Sequence, residues 1–97
     1  AYNLIIKPLA ELDIAESFQW YNGKQEGLGD EFLNELDRSL ESITINPHQY
    51  QVRYKAIRMA KLRRFPICLH YLIREEAIFV QAVLSTYRSP KIWRKRK

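Results

Sequence analysis

The chain has 97 residues, 46% of them hydrophobic, which predicts one globular domain spanning 1–97 and excludes a chain that is disordered throughout. Its single cysteine, Cys68, excludes an internal disulfide framework and cannot form a metal cluster, so we expect no metal, no cofactor and a reducing, cytoplasmic setting. The first residues show no signal-peptide pattern, and no apolar run approaches about 18 residues, so neither secretion nor membrane insertion is expected. The formal net charge of +5 favours an acidic partner.

A strand followed by a helix is predicted at the start of the chain. The run at 2–7 is short, apolar and rich in isoleucine, and Pro8 stops it. Pro8 also suits the first turn of a helix, because its missing N–H has no intrahelical partner there. We predict that this helix reaches Asn22. Its apolar face, read from helical spacing, consists of Leu9, Leu12, Ala15 and Phe18.

A second helix is predicted from near Asp30 to Asn46-Pro47, which stops it. Its apolar face consists of Phe32, Leu33, Leu36, Leu40 and Ile43. The Gly27-Leu28-Gly29 stretch connects the two helices into a hairpin. It matches no phosphate-binding loop, because its spacing differs and no strand precedes it.

Three strands are predicted after the hairpin, at 56–62, 65–73 and 77–86. A tight polar turn at 74–76 joins the last two. The order β-α-α-β-β-β predicts an α+β fold, in which the helical hairpin packs on one face of a mainly antiparallel four-stranded sheet.

Basic side chains are concentrated in the second half of the chain. Residues 1–46 carry three basic and nine acidic side chains, a balance of −6, whereas residues 47–97 carry thirteen and two, a balance of +11. This asymmetry favours a nucleic acid or an acidic protein as partner, and the alternative is that the charges only solubilise a sheet edge. In the basic tail 88–97, Trp93 is expected to anchor the chain on the domain. The residues expected to stay exposed are Arg88, Lys91, Arg94, Lys95, Arg96 and Lys97.

Three stretches form an ordered set: "GLGDEFLNELDRSLESITINP", "VRYKAIRMAKLRRFPICLHYLI" and "AVLSTYRSPKIW". Their shared marks are the Gly-Leu-Gly turn, the Asn46-Pro47 stop, an Arg-rich strand ending in Phe65-Pro66, Tyr71 and the Arg88-Ser89-Pro90 ending. From about residue 4 to residue 95, this set resembles the RelE/ParE superfamily of bacterial toxins, which includes plasmid stabilization toxins.

The resemblance implies that the chain is the toxic half of a type II toxin–antitoxin pair, neutralised by a cognate antitoxin in a hetero-oligomer. ParE-like members poison DNA gyrase, and RelE-like members cut mRNA in the ribosomal A site. The acidic hairpin, the Gly-Leu-Gly turn and the "LRRFP" strand favour the ParE-like branch. The alternative is a RelE-like, ribosome-dependent mRNA endoribonuclease. A plain basic nucleic-acid-binding module would explain the charge but not the ordered resemblance.

Metal-independent RNA cleavage requires groups that stabilise phosphorane charge and groups that move protons. If the chain is a nuclease, the candidate catalytic residues are Arg58, Lys61, Arg63, Tyr87 and Arg88. The candidate partner-binding residues are Arg58, Lys61, Arg64, Arg88, Lys91, Trp93 and Arg94. A nuclease built on a Glu and a His is excluded, because no acid lies between Ser42 and Arg74 and Ser85 stands where relatives often have His.

Several of these side chains also have a purely structural interpretation. Arg58 can pair with acids of the helices, and Tyr87 can cap the core. His70 is expected to make a structural hydrogen bond. His48 is expected to face solvent, and Cys68 to be a small buried hydrophobe. Trp20 is expected to be a packing group.

Overall fold

The computed structural model describes residues 2–96. Strand β1 (Asn3–Ile6) leads into the helices α1 (Pro8–Lys24) and α2 (Leu28–Ile45). A 3-10 turn (Pro47–Gln49) follows, and then the strands β2 (Val52–Tyr54), β3 (Ile57–Lys61), β4 (Ile67–Arg74) and β5 (Ala77–Ser85) and the short helix α3 (Pro90–Arg94).

The strands form one sheet in the order β1-β5-β4-β3-β2. β1 runs parallel to β5, and the other neighbouring pairs are antiparallel. α1 packs on α2 and on β5, so the helical hairpin covers one face of the sheet. The predicted α+β class, the hairpin and the mainly antiparallel sheet are confirmed. Within the described residues, no helix is both long and apolar enough to span a membrane.

The sheet has five strands within residues 2–96 where the sequence predicted four. The strand that was missed is β2, which has three residues and lies at the edge of the sheet. Val52 and Arg53 are both exposed there, so neither face of the strand is buried. Three residues at a sheet edge are too few to show a period of two, and the sequence pattern therefore does not reveal this strand.

The apolar face predicted for α1 was wrong. Leu9 and Leu12 are 52% and 55% exposed, and Ala15 is exposed as well. The buried residues of α1 are Ala10, Asp13 and Tyr21. The physical reason is that Ala10 is small enough to let the helix approach the sheet closely, while Asp13 is hydrogen-bonded and ion-paired where it is buried. Trp20, expected to be a packing group, is 57% exposed.

α2 behaves as its sequence predicts, although it begins two residues earlier than expected, at Leu28. Its buried apolar residues are Phe32, Leu36, Leu40 and Ile43. Both glycines of the connecting turn have a steric role. Gly27 has φ of 85°, a left-handed conformation that favours glycine. At Gly29 a Cβ would lie 2.7 Å from Asn22 Oδ1, so only glycine fits without a shift.

Candidate functional site

The two faces of the sheet carry different candidate residues. Residues paired across antiparallel strands project from the same face. Arg58 pairs with Tyr71, which is buried in the core beneath the helices. Lys61 pairs with Cys68, which lies three residues before Tyr71 in β4. Because side chains alternate between the faces of a strand, Cys68 and Lys61 project from the opposite face, which we call the outer face. Arg58 and Lys61 therefore point away from each other across the sheet.

Arg58 supports the loop that precedes β2. Its Nη1 donates a hydrogen bond to the backbone oxygen of Tyr50. Within residues 2–96 no ion pair joins Arg58 to an acid of the helices, so the alternative interpretation of this residue was wrong. Burial raises the pKa of the neighbouring Tyr71 to about 12, although Arg58 acts in the opposite direction. Tyr71 thus stays protonated and donates to Pro47 O at 2.7 Å.

Arg63 and Arg64 lie in the loop between β3 and β4, which is attached to α2. The backbone N–H groups of both residues donate to the Glu35 carboxylate, and Glu35 is buried. The Arg64 side chain forms an ion pair with Glu31 at 2.7 Å, but both side chains are exposed. An exposed pair of this kind contributes about 0–1 kcal/mol. The loop is therefore held mainly by Glu35.

Tyr87 and Arg88 follow β5 and are both exposed, Tyr87 to 86%. This exposure excludes the interpretation of Tyr87 as a cap on the core. Both residues border a cleft between α1 and the end of β5. Among the described residues, no hydrogen bond or ion pair joins any two of the five candidate catalytic side chains. Their catalytic role stays a prediction.

The tail forms a short helix, α3, that the sequence analysis did not predict. Ser89 caps it, because its Oγ accepts a hydrogen bond from Lys91 N at 3.2 Å. Trp93 packs on the outer face, with its ring centroid 4.6 Å from that of Tyr54 and 5.1 Å from that of His70. Trp93 thus anchors the tail as predicted.

Tyr54 and His70 form a hydrogen-bonded pair beneath Trp93. Tyr54 Oη lies 2.8 Å from His70 Nδ1, and His70 is 1% exposed. Burial lowers the pKa of His70 to about 4 and raises the pKa of Tyr54 to about 12. Both side chains are therefore neutral near pH 7. The structural hydrogen bond expected of His70 is present, whereas Tyr54 was missed because it lies in the unpredicted strand β2.

Arg96 corrects the prediction that the basic residues of the tail stay exposed. It is half-buried and forms an ion pair with Asp13, which is only 5% exposed. Arg96 Nη2 donates to Asp13 Oδ1 at 3.0 Å, and this hydrogen bond raises the pKa of Arg96 further. No local pattern links two residues so far apart in the chain, so the sequence gives no signal for this pair. The prediction for Lys97 lies outside the described residues.

The remaining partner-binding candidates differ in how free their charges are. Lys61, Arg88, Lys91 and Arg94 have exposed side chains. Arg94 also offers its backbone oxygen to Lys55 Nζ at 2.9 Å. Cys68 is buried and its pKa is raised to about 11 by burial, as expected of a small hydrophobe. His48 is exposed as predicted.

The cleft between α1 and the end of β5 has a volume of about 400 Å³. We call it the edge cleft. Residues from α1 that line it include Asp13, Glu16, Ser17 and Trp20. The opposite wall comes from residues 83–85 of β5, from Ile67 and from Tyr87 and Arg88.

Two solved structures resemble this architecture. A chain of the chromosomal ParDE TA system from P. aeruginosa has a TM-score of 0.77 at 12% identity, with 87% of this chain and 95% of that chain covered. A chain of the intact E. coli RelBE toxin-antitoxin complex has a TM-score of 0.70 at 22% identity, with 91% and 100% covered. No family model matches the sequence, and no curated protein matches it either. The chain therefore shares its fold with these two chains, which is the fold that the resemblance implied.

Proposed function

We propose that this chain is the toxin of a type II toxin–antitoxin pair and that a cognate antitoxin neutralises it. The observation that carries the proposal is the shared fold, which extends over 87% and 91% of this chain in two structures from toxin–antitoxin systems. The ordered sequence motifs support it independently. In this proposal the protein acts in the cytoplasm, as part of a hetero-oligomer with its antitoxin.

The exposed cations suit an acidic segment of that antitoxin. Lys61 lies on the outer face, Lys91 and Arg94 lie on α3, and Arg88 lies at the edge cleft. Within residues 2–96, none of these four side chains forms an ion pair with an acid. Their charges are available to a partner and would attract it over a distance limited by salt.

Within the superfamily we favour the ParE-like branch, with DNA gyrase as the target. Proton transfer requires a base or acid within hydrogen-bond reach of the reacting group. Tyr87 is 86% exposed, Arg58 is bound to a backbone oxygen, and His70 is buried and neutral. This dispersal supports a toxin that acts by binding.

A RelE-like nuclease is the second candidate, and one observation favours it. The outer face combines the cation Lys61 with the Tyr54–His70 pair, and Arg53 lies close enough to act on the pKa of Cys68 on that face. Cations that can stabilise phosphorane charge are what ribosome-assisted RNA cleavage would use, whereas the Tyr54–His70 pair itself is neutral near pH 7. The ribosome and mRNA would then be the partners.

Controlled induction of the protein in bacteria distinguishes the two branches. For the ParE-like branch we expect an early DNA-damage response and filamentation while mRNA stays intact, and the Tyr87→Phe variant should remain toxic. Rapid, translation-dependent mRNA cleavage at A-site codons, abolished by Tyr87→Phe or Arg58→Ala, would establish the nuclease instead. Normal growth on induction of a folded protein would count against the toxin proposal itself.

A further inference from the structure

Within residues 2–96, no strand covers the edge of the last part of β5. β1 pairs with β5 only from Asn3↔Ala77 to Ile6↔Val80, whereas β5 continues to Ser85. β1 cannot extend further, because Pro8 lacks an N–H and begins α1. A bare strand edge is a template on which another extended chain can pair.

Two side chains occupy this edge instead of a strand. The Asp13 carboxylate accepts a hydrogen bond from Val83 N at 3.0 Å. Arg96 Nη1 donates to Gln81 O at 3.3 Å, and Arg96 also holds the Asp13 carboxylate. Backbone groups of β5 that a neighbouring strand would engage are thus taken by one ion pair, half of which comes from the tail.

The tail is attached to the rest of the protein by few groups. α3 has five residues and none of them is buried. Its ring contact runs through Trp93, and Arg96 supplies the ion pair. Arg96 also demonstrates what the site recognises, because it places a guanidinium against a buried carboxylate and a backbone oxygen. A basic side chain from elsewhere would fit the same acceptors.

The edge cleft supplies the rest of a binding surface. Trp20 and Leu84 give it apolar walls, and Glu16 adds an exposed acid beside Asp13. Leu9 and Leu12, also exposed on α1, widen the apolar surface beyond the cleft. An apolar cleft that runs along an open strand edge and carries two acids fits an extended peptide with a basic residue.

We propose that the edge cleft binds an extended segment of the antitoxin, which pairs with residues 81–85 of β5 and places an arginine or lysine on Asp13 in place of Arg96. This inference rests on the proposed function and adds to it a second, basic segment of the antitoxin, distinct from the acidic one. Displacement of Arg96 frees its guanidinium, which adds one cation to those that are already exposed for the acidic segment.

The test uses the antitoxin encoded beside the toxin gene and measures its Kd for variants of the full chain by calorimetry. Glu16→Lys places a cation at the cleft and should weaken binding about tenfold, because like charges then face each other. Glu11→Lys is the matched control, because Glu11 lies on the same helix, is exposed and does not line the cleft. The Kd of the antitoxin for this variant should stay within about twofold of the wild-type value. Arg96→Gln removes the internal competitor and should tighten binding severalfold.

Hydrogen exchange of the Val83 amide supplies a direct readout. In the Arg96→Gln variant this amide should exchange faster than in wild type, and antitoxin binding should slow it again. A Kd that responds equally to Glu16→Lys and Glu11→Lys, or an Arg96→Gln Kd equal to wild type, would overturn the inference while leaving the toxin–antitoxin proposal intact. Absence of any complex with the wild-type chain would overturn both. Glu16→Lys retains both Asp13 and Arg96, although it removes the attraction of Glu16 for the Arg96 guanidinium, and its comparison with Glu11→Lys gives a result even if Arg96→Gln does not fold.

Discussion

The two faces of the sheet are covered by very different amounts of structure. On one face, α2 buries four large apolar side chains, and Phe32 packs edge to face against Phe65 with ring centroids 5.7 Å apart. On the outer face, α3 buries none of its five residues and covers the sheet with Trp93. The charge differs as well, because α1 and α2 belong to the acidic half of the chain and α3 to the basic half.

This difference separates a permanent cover from a removable one. Burial of apolar area stabilises the helix side in proportion to that area, and its loss unfolds the domain. The outer side depends on one ring, on the hydrogen bond from Lys55 to the Arg94 backbone and on the Asp13–Arg96 ion pair, whose net contribution is small once desolvation is counted. Detachment of α3 and the tail from the outer face is therefore expected to leave the rest of the domain folded. A docking site that is closed by its own tail requires this property.

The strongest test of this comparison removes one aromatic ring from each cover. Phe32→Ala leaves a cavity in the fully buried core and should lower the free energy of unfolding by about 3–5 kcal/mol. Trp93 is only half-buried, and its removal should cost about 1–2 kcal/mol. Urea unfolding followed by circular dichroism measures both. Equal losses in the two variants would contradict the distinction between the covers.

Sequence reasoning succeeded on the helix side for a physical reason. The α2 residues recur with the period of a helix that buries one face, and Ile67, Leu69, Tyr71 and Ile73 alternate along β4, so periodicity alone located both elements. The same reasoning failed for α1, where an aspartate is buried and leucines are exposed. Hydrophobicity cannot reveal a helix that buries a charge by pairing it with a distant residue.

The candidate site was predictable only as a set of residue types. The sequence identified which cations were present, but the sheet register decides that Arg58 and Lys61 lie on opposite faces. Register depends on long-range pairing that a single sequence does not specify. The Asp13–Arg96 contact and the Tyr54–His70 contact likewise join residues that no local motif connects.

Acid should weaken the outer cover through His70. Its pKa is lowered from 6.5 to about 4, first by burial and then by Arg96, with Asp13 acting in the opposite direction. Between these two values the unfolded chain binds a proton that the folded chain does not, so stability is full above about pH 6.5 and is lost as the pH falls towards 4. From pH 7 to pH 5 we expect a loss of about 2 kcal/mol from this residue.

The measurement is urea unfolding of wild type and His70→Gln at both pH values. His70→Gln should remove most of the pH-dependent loss, whatever its effect on stability at pH 7. His48→Gln is the control for the replacement of a histidine, because His48 is exposed. An identical pH dependence in wild type and His70→Gln would show that His70 does not titrate as its burial requires.

The smallest effect is expected from two glycines of the helical hairpin, Gly23 and Gly29. At Gly29 an added Cβ would lie 2.8 Å from the backbone oxygen of Phe18, so Gly29→Ala must move one helix and should cost about 1–2 kcal/mol. Gly23 lies within α1 with nothing near its Cβ position, so Gly23→Ala should stabilise the protein by about 0.5–1 kcal/mol through helix propensity. Thermal unfolding of both variants tests the pair. Stability changes of opposite sign in the two variants would show that the helix side depends on the close contact of α1 with α2 at Gly29. Stabilisation by both substitutions would mean that the hairpin has room to adjust there.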